Sequence, residues 1–219
     1  MEISTKQKIL DAALTLFSEK GYESVSVGEI AGAVGIKAPS LYKHYKSKQE
    51  IFDSILIEMN QRYKKQAESM NLNGFDAEID AKAYENISED IMISMGKGLF
   101  LYFMHDEYTC KFRKMLTVEQ YHNRELAQLF SKQYMDDVLE YQSMVLGMLS
   151  SAGVLKQENP QIMALHFYAP MYMLLTVCDR QPEREQQSLE ILEQHIRQFN
   201  RIYKRNEDNE YNDNSRAKS

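Results

Sequence analysis

The chain has 219 residues, a formal net charge of -6, 43% hydrophobic side chains and 26% charged ones. That length and composition fit one core of ordinary size or two smaller ones. A pI of about 5.5 excludes a protein that coats nucleic acid over its whole surface, because such binding scales with the number of phosphates neutralised. Four Pro and nine Gly are few for a β protein, and runs rich in Leu, Met, Glu, Gln, Lys and Ala point to an all-α fold. No uninterrupted apolar run reaches about 18 residues, and Met1 to Lys6 lacks the apolar core of a signal peptide. Cys110 and Cys178 lie far apart with no C-x-x-C, so no disulfide framework is implied. The expectation is a cytoplasmic protein without a membrane span.

In chain order, Ile9, Leu10, Ala13, Leu14 and Phe17 recur on one face of a first helix, with Ser4 and Gln7 spaced as a capping box and Gly21 as its stop. Ser26 and Glu29 form a second such pair, opening a short helix through Ile30, Ala31 and Val34 that Gly35 ends. Pro39 suits the first turn of a third short helix, with Leu41 and Tyr45 one turn apart. Ser47 and Glu50 are a third pair, followed by the stripe Ile51, Phe52, Ile55, Leu56 and Met59 of a longer fourth helix.

The charge along this head is uneven. Residues 1–65 hold ten Lys and Arg against eight Asp and Glu, a balance of +2, which leaves -8 for the remainder. Between Ile30 and Gln49 there is no acidic residue, while Lys37, Lys43, His44, Lys46 and Lys48 all fall there. A short helix, a turn containing Gly and a second short helix carrying only positive charge form the pattern of a helix-turn-helix, spanning about 26–45. Lys37, Ala38, Ser40, Lys43 and His44 are assigned to base reading, since Lys and His can donate to guanine O6 and N7. Tyr42, Tyr45, Lys46 and Lys48 are assigned to phosphate, Lys48 because it opens the fourth helix, whose N-terminus attracts anions.

Ile9-Leu10-Asp11-Ala12-Ala13, Phe17 with Gly21-Tyr22, Ile30-Ala31 with Gly35-Ile36, and the run from Leu41 to Phe52 together resemble the TetR/AcrR family of bacterial transcriptional repressors over roughly the first 60 residues. The resemblance implies a dimer on double-stranded operator DNA, a tyrosine and a lysine on the DNA backbone, and further clamps at Thr5 and Lys6. Beyond Arg62 no such likeness is visible at the residue level.

The head is therefore taken as 1–62 and a helical body as 63–205. Helical patterning in the body runs over about 77–104, 107–117, 118–151, 161–180 and 183–203, giving about nine helices in all. Asn206 to Ser219 lack any large aliphatic side chain and are expected to form a disordered tail. The last helix carries Leu189, Leu192, Ile196, Phe199 and Tyr203 as a seam, and the last two helices are expected to pair two copies as a four-helix bundle. The body also holds many aromatics with hydroxyls. Phe103, His105, Tyr108, Phe112, Tyr121, Phe130, Tyr134, Tyr168 and Tyr172 are the candidate lining of a pocket for a small apolar or aromatic effector, with Arg113, His122 and His166 as further polar anchors.

Signatures for a serine hydrolase, a zinc protease, a phosphate loop or a dinucleotide fold are absent, and neither cysteine has zinc-like spacing. The expectation is a non-enzymatic regulator with no cofactor and no metal, released from a palindromic operator by its effector. The alternative left open by the sequence is an all-α regulator or carrier whose body serves protein-protein interaction, without release by an effector.

Overall fold

The computed structural model describes residues 3–205. In chain order the helices are α1 (Thr5–Lys20), α2 (Val27–Val34), α3 (Ala38–Leu41), α4 (Lys48–Ser69), α5 (Ala77–Glu85), α6 (Glu89–His105), α7 (Glu107–Glu119), α8 (Arg124–Ser131), α9 (Asp137–Ser151), α10 (Pro160–Cys178) and α11 (Glu185–Tyr203). One π turn, Lys132–Asp136, joins α8 to α9, and a 3-10 turn, Pro182–Arg184, leads into α11. The fold is all-α, and no strand occurs among the described residues. The expected tail from Asn206 lies outside them.

Two compact units emerge. The first takes residues 3–70 together with Leu101–Val138, and the second takes Asn71–Phe100 and residues 139–205. The sequence-based expectation divides the chain at 62/63 by role, whereas these units are drawn by packing: α7 falls in the first unit because it lies along α1. Ile9, Ala13 and Phe17 of α1, Ile30 of α2, Leu41 of α3 and Ile51 and Ile55 of α4 are fully buried, as are Phe112, Met115 and Leu116 of α7. Each such aliphatic or aromatic side chain contributes roughly 1.5 to 3 kcal/mol when it leaves water.

The second unit is centred on α9, α10 and α11, with Ala77 and Ala81 of α5, Leu146 and Leu149 of α9, Met163 and Ala164 of α10 and Phe199 and Tyr203 of α11 in one apolar cluster. Gly96 lets α6 and α11 approach closely, since a Cβ there would stand 2.7 Å from Ile196 Cδ1. Asp80, fully buried, accepts from the Asn73 and Gly74 N–H groups at 2.6 and 2.8 Å and from the Tyr141 hydroxyl, which ties the 71–76 loop down.

Two helices expected as continuous are broken. The 77–104 run divides at Asn86, the C-cap of α5, and resumes after Ser88, whose hydroxyl accepts the Ile91 N–H. The 118–151 run divides at Gln120–Asn123, where the Asn123 side chain accepts the Glu125 and Leu126 N–H groups and caps α8. In both places a short polar side chain competes with the backbone for its own hydrogen bonds and wins.

One helix bears on the expectation that the chain has no membrane span. Helix α10 is 19 residues long with mean hydropathy 1.3 over its best window, enough by length and composition alone to cross a bilayer. Gln161 and His166 interrupt its apolar residues, so it does not stand out as one unbroken stretch.

Candidate nucleic-acid interface

The helix-turn-helix is built by its caps. The Ser26 side chain accepts the Glu29 N–H and the Glu29 carboxylate accepts the Ser26 N–H, a complete capping box that starts α2. Ser4 and Ser47 accept the N–H three residues on in the same way. Their return halves differ from expectation, because Glu50 turns to the Lys46 N–H and Gln7 to Asp11. Gly35 ends α2 at φ 75°, ψ 25°, in the left-handed region that a side chain would disfavour, and Ile36 N–H then bonds back to Ala31.

Helix α3 itself is a single turn. From Ala38 to Leu41 it is α-helical, and past it His44 and Tyr45 N–H both reach the Leu41 carbonyl, at 2.8 and 3.1 Å, so the chain stays coiled through Tyr45. That coil sorts its side chains by face. Leu41 and Tyr45 point into the core, while Lys37, Tyr42, Lys43, His44 and Lys46 are exposed and Ala38 and Ser40 are half-buried. Tyr42 is 51% exposed. Thr5 and Lys6 are exposed at the start of α1.

Two phosphate assignments need correction. Tyr45 is 1% exposed, its ring held under the Lys6 ammonium at 5.2 Å and its hydroxyl 3.5 Å from the Lys6 carbonyl, so it is a core aromatic and not a surface donor. Burial pushes its phenol upward from the ordinary value, which keeps it neutral. Lys48 is half-buried, and its ammonium donates to the carbonyls of Tyr22, Glu23 and Val25. An ammonium has three donors, and all three are engaged. The backbone N–H groups at this end of α4 remain the anion-attracting feature.

The aromatic residues assigned to an effector pocket divide between the two units. Tyr108, Phe112, Phe130 and Tyr134 are buried in the first unit, where Phe103 is half-buried and His105 exposed. Tyr168 and Tyr172 sit in the second unit, their rings 6.0 Å apart. Tyr121, just past α7, is 82% exposed, so it is not part of the buried aromatic set. The mixed aromatic composition carries no information about which helix faces turn inward. Arg113, 1% exposed, donates to the Phe103 carbonyl at 2.9 Å, so of the polar anchors it is the one taken into the interior. His122 is exposed, and His166 pairs with the Tyr203 hydroxyl.

Sequence reasoning missed two polar residues that organise the site from outside the recognition turn. Tyr22 is packed edge-on against Phe17 and Phe52 at 5.1 Å each, under the Lys48 ammonium at 4.4 Å. Its N–H is taken by Glu119, 97 residues along the chain, at 2.8 Å. Gly21-Tyr22 is visible in the sequence, but no local signal ties it to Glu119.

A capped helix-turn-helix carrying an exposed basic face, mounted on a long fourth helix, defines the class of helix-turn-helix regulators. Residues 9–55 match the family model described as bacterial regulatory proteins, tetR family. The negative transcriptional regulator IcaR of the biofilm operon icaADBC from Staphylococcus epidermidis is 53% identical over 47 residues, 22% of this chain and 25% of that protein. IcaR from Staphylococcus aureus is 52% identical over 48 residues, 22% of this chain and 26% of its own length. The matched segment thus spans about a quarter of these curated relatives. Over residues 9–55 the chain is thus similar to the TetR family of bacterial regulators. Solved structures agree in fold: SmeT, the repressor of the Stenotrophomonas maltophilia multidrug efflux pump SmeDEF, superposes with a TM-score of 0.63 at 19% identity, covering 93% of this chain and 92% of SmeT. The fatty acid degradation regulator FadR from Bacillus halodurans gives 0.61 at 17% identity, over 90% and 96% of the two chains.

Proposed function

We propose that the protein is a cytoplasmic, homodimeric transcriptional repressor that binds a palindromic operator in double-stranded DNA and is released by a small apolar or aromatic effector. The observation that carries the reading is the acid-free face of the recognition turn, where Lys37, Tyr42, Lys43, His44 and Lys46 are exposed together while Leu41 and Tyr45 anchor the same turn in the core. On this reading Lys37, Ala38, Ser40, Lys43 and His44 meet base edges, and Tyr42, Lys46, Thr5, Lys6 and the N-terminus of α4 meet phosphate. Repression is the role named for IcaR and for SmeT.

Dimerisation is supported by α10 and α11. Ile162, Leu165 and Met173 of α10 and Ile191 and Ile202 of α11 are exposed apolar side chains, an expensive arrangement in water unless another surface covers them. A second copy is proposed to cover this face as a four-helix bundle, and on a palindromic operator the two recognition turns of such a dimer would enter successive major grooves about 34 to 36 Å apart. Effector response is supported by the SmeT–triclosan complex, whose protein superposes at a TM-score of 0.63 and 18% identity, and by the buried aromatics Phe112, Phe130 and Tyr134 of the first unit.

Selection of duplexes from a random pool by the full chain, followed by anisotropy titration, tests the reading. A symmetric site bound by two copies is expected, with Lys43→Ala and Tyr42→Phe each weakening it while the fold is retained. Binding that ignores both substitutions would overturn it. Displacement of the duplex by fractions of a metabolite extract tests the effector arm.

A further inference from the structure

Glu119 ends α7, and it breaks several local rules at once. It is 5% exposed, and an acid in the last turn of a helix faces the negative end of the helix dipole with no basic residue in that turn to offset it. One oxygen, Oε1, accepts the Tyr22 N–H at 2.8 Å, while Oε2 is buried and meets no hydrogen-bond donor. A half-satisfied buried carboxylate costs folding energy. The approach also depends on Gly21, at φ 86°, because a Cβ there would collide with Glu119 Oε1.

Places where a chain accepts such costs together are expected to be functional. This one has a definite location. Gly21 and Tyr22 form the corner between α1 and α2, and a few residues on the chain enters the Ser26 cap that starts the helix-turn-helix. The corner is held from two sides by opposite charges: Lys48 of α4 takes the carbonyls of Tyr22, Glu23 and Val25, and Glu119 of α7 takes the Tyr22 N–H. Asn123, just beyond α7, adds a bond to the Glu23 carboxylate at 3.0 Å. Lys48 fixes the corner to the helix that follows the recognition turn, and Glu119 fixes it to a helix from outside the motif.

We infer that Glu119 is a positioning residue for sequence-specific DNA binding: by holding the Tyr22 N–H it sets the α1–α2 corner, and with it the aspect of α2 and the recognition turn. It touches no DNA. The inference rests on the DNA-binding reading above. A residue of this kind governs how well the turn fits its own sequence, and leaves phosphate attraction in place, since the exposed lysines are untouched.

The test uses the full chain, the duplex it selects from a random pool, and a scrambled duplex of the same length at one salt concentration. Glu119→Ala should lower affinity for the selected duplex on the order of tenfold and leave the scrambled duplex within about twofold. Glu119→Gln, whose amide oxygen still accepts from Tyr22, should restore most of the ratio. Equal loss on both duplexes, no loss on either, or a glutamine variant as poor as alanine would overturn the inference. Should the alanine variant not fold, hydrogen exchange decides on wild type and Glu119→Gln: the Tyr22 amide is expected to be protected in both, and exchange at the rate of an open loop amide rejects the contact. A wild type that selects no duplex removes the DNA-binding reading and this inference with it, whereas a wild type that selects one while Glu119→Ala keeps the full ratio removes this inference alone.

Discussion

The Lys48 ammonium lies 4.4 Å above the Tyr22 ring and 2.9 Å from the Tyr22 carbonyl oxygen, so one cation serves the face and the backbone of the same residue. Two further carbonyls, of Glu23 and Val25, complete its donors at 3.3 and 3.1 Å. A charge engaged this way within the chain releases few counterions when DNA binds. Lys48→Met should therefore leave the slope of log affinity against log salt nearly unchanged, while Lys46→Gln, at an exposed lysine assigned to phosphate, should reduce it by about 0.9 for each phosphate no longer neutralised. Stability should respond in the opposite order, with Lys48→Met costing about 1 to 2 kcal/mol because three charge-assisted bonds disappear. Anisotropy titrations over a salt series and thermal melts read both. A reduced slope for Lys48→Met would return that ammonium to the phosphate backbone.

The head is legible because its signals are local. Ser4, Ser26 and Ser47 cap where their spacing says, and Gly21 and Gly35 stop α1 and α2 through positive φ. The acid-free lysine stretch is likewise a property of adjacent residues. What the sequence hides is non-local. Whether Tyr45 or Tyr42 faces inward turns on the exact coil of a one-turn helix, and the same composition allows either. Glu119 reads as one more surface acid until its partner 97 residues away is known. In the body, apolar periodicity carries on through Asn86 and Asn123, where each helix ends without a Gly or Pro to announce it. The π turn at Lys132–Asp136 leaves no composition signal at all.

Tyr108 offers a stability prediction whose sign is opposite to most core substitutions. Its ring is buried beneath the Arg62 guanidinium at 4.5 Å, yet its hydroxyl is buried with no hydrogen-bond partner. Burial pushes the phenol far above its ordinary value, with the Glu58 charge adding to it, so the group stays neutral and simply lacks a mate. Tyr108→Phe keeps the ring and the cation contact and removes the orphaned oxygen. It is expected to be neutral or to stabilise by up to about 1 kcal/mol, which is roughly 2 to 4 °C in melting temperature for a chain of this size. Destabilisation beyond about 1 kcal/mol would mean that the hydroxyl has a partner in solution.

The Glu29 carboxyl is held down to about 2 from an ordinary 4.5 by the Ser26 backbone N–H first, then by Lys20 and by the Ser26 hydroxyl. A depressed value in the folded chain means that the cap's contribution is complete above about 4.5 and is lost as the pH falls toward 2. Carbon NMR of the Glu29 carboxyl across that range should give a midpoint near the lower end. Lys20→Met, which removes the 3.0 Å ion pair, should raise the midpoint only part of the way, because the Ser26 N–H remains. A wild-type midpoint at the ordinary value would show that the capping box does not persist in solution.

The α10–α11 face gives the sharpest test of assembly. Leu165 borders an open groove of about 400 Å³ lined also by His166, Pro170, His195, Phe199 and Ile202. With Ile162 and Met173 exposed along the same helix, the apolar character that makes α10 long and greasy enough to suggest a bilayer is also what a partner helix would bury. The two possibilities separate on one substitution. Leu165→Glu leaves the interior of the chain alone, since Leu165 is exposed, but places an unpaired charge where a second copy would pack, at a cost of several kcal/mol per buried ion. Sedimentation should then show a dimer for the wild type and a folded monomer for the variant, and affinity for a palindromic duplex should fall with it, because the two recognition turns are no longer linked. A variant that remains dimeric would move the interface elsewhere, and a wild type that sediments with vesicles and not as a free dimer would favour the bilayer.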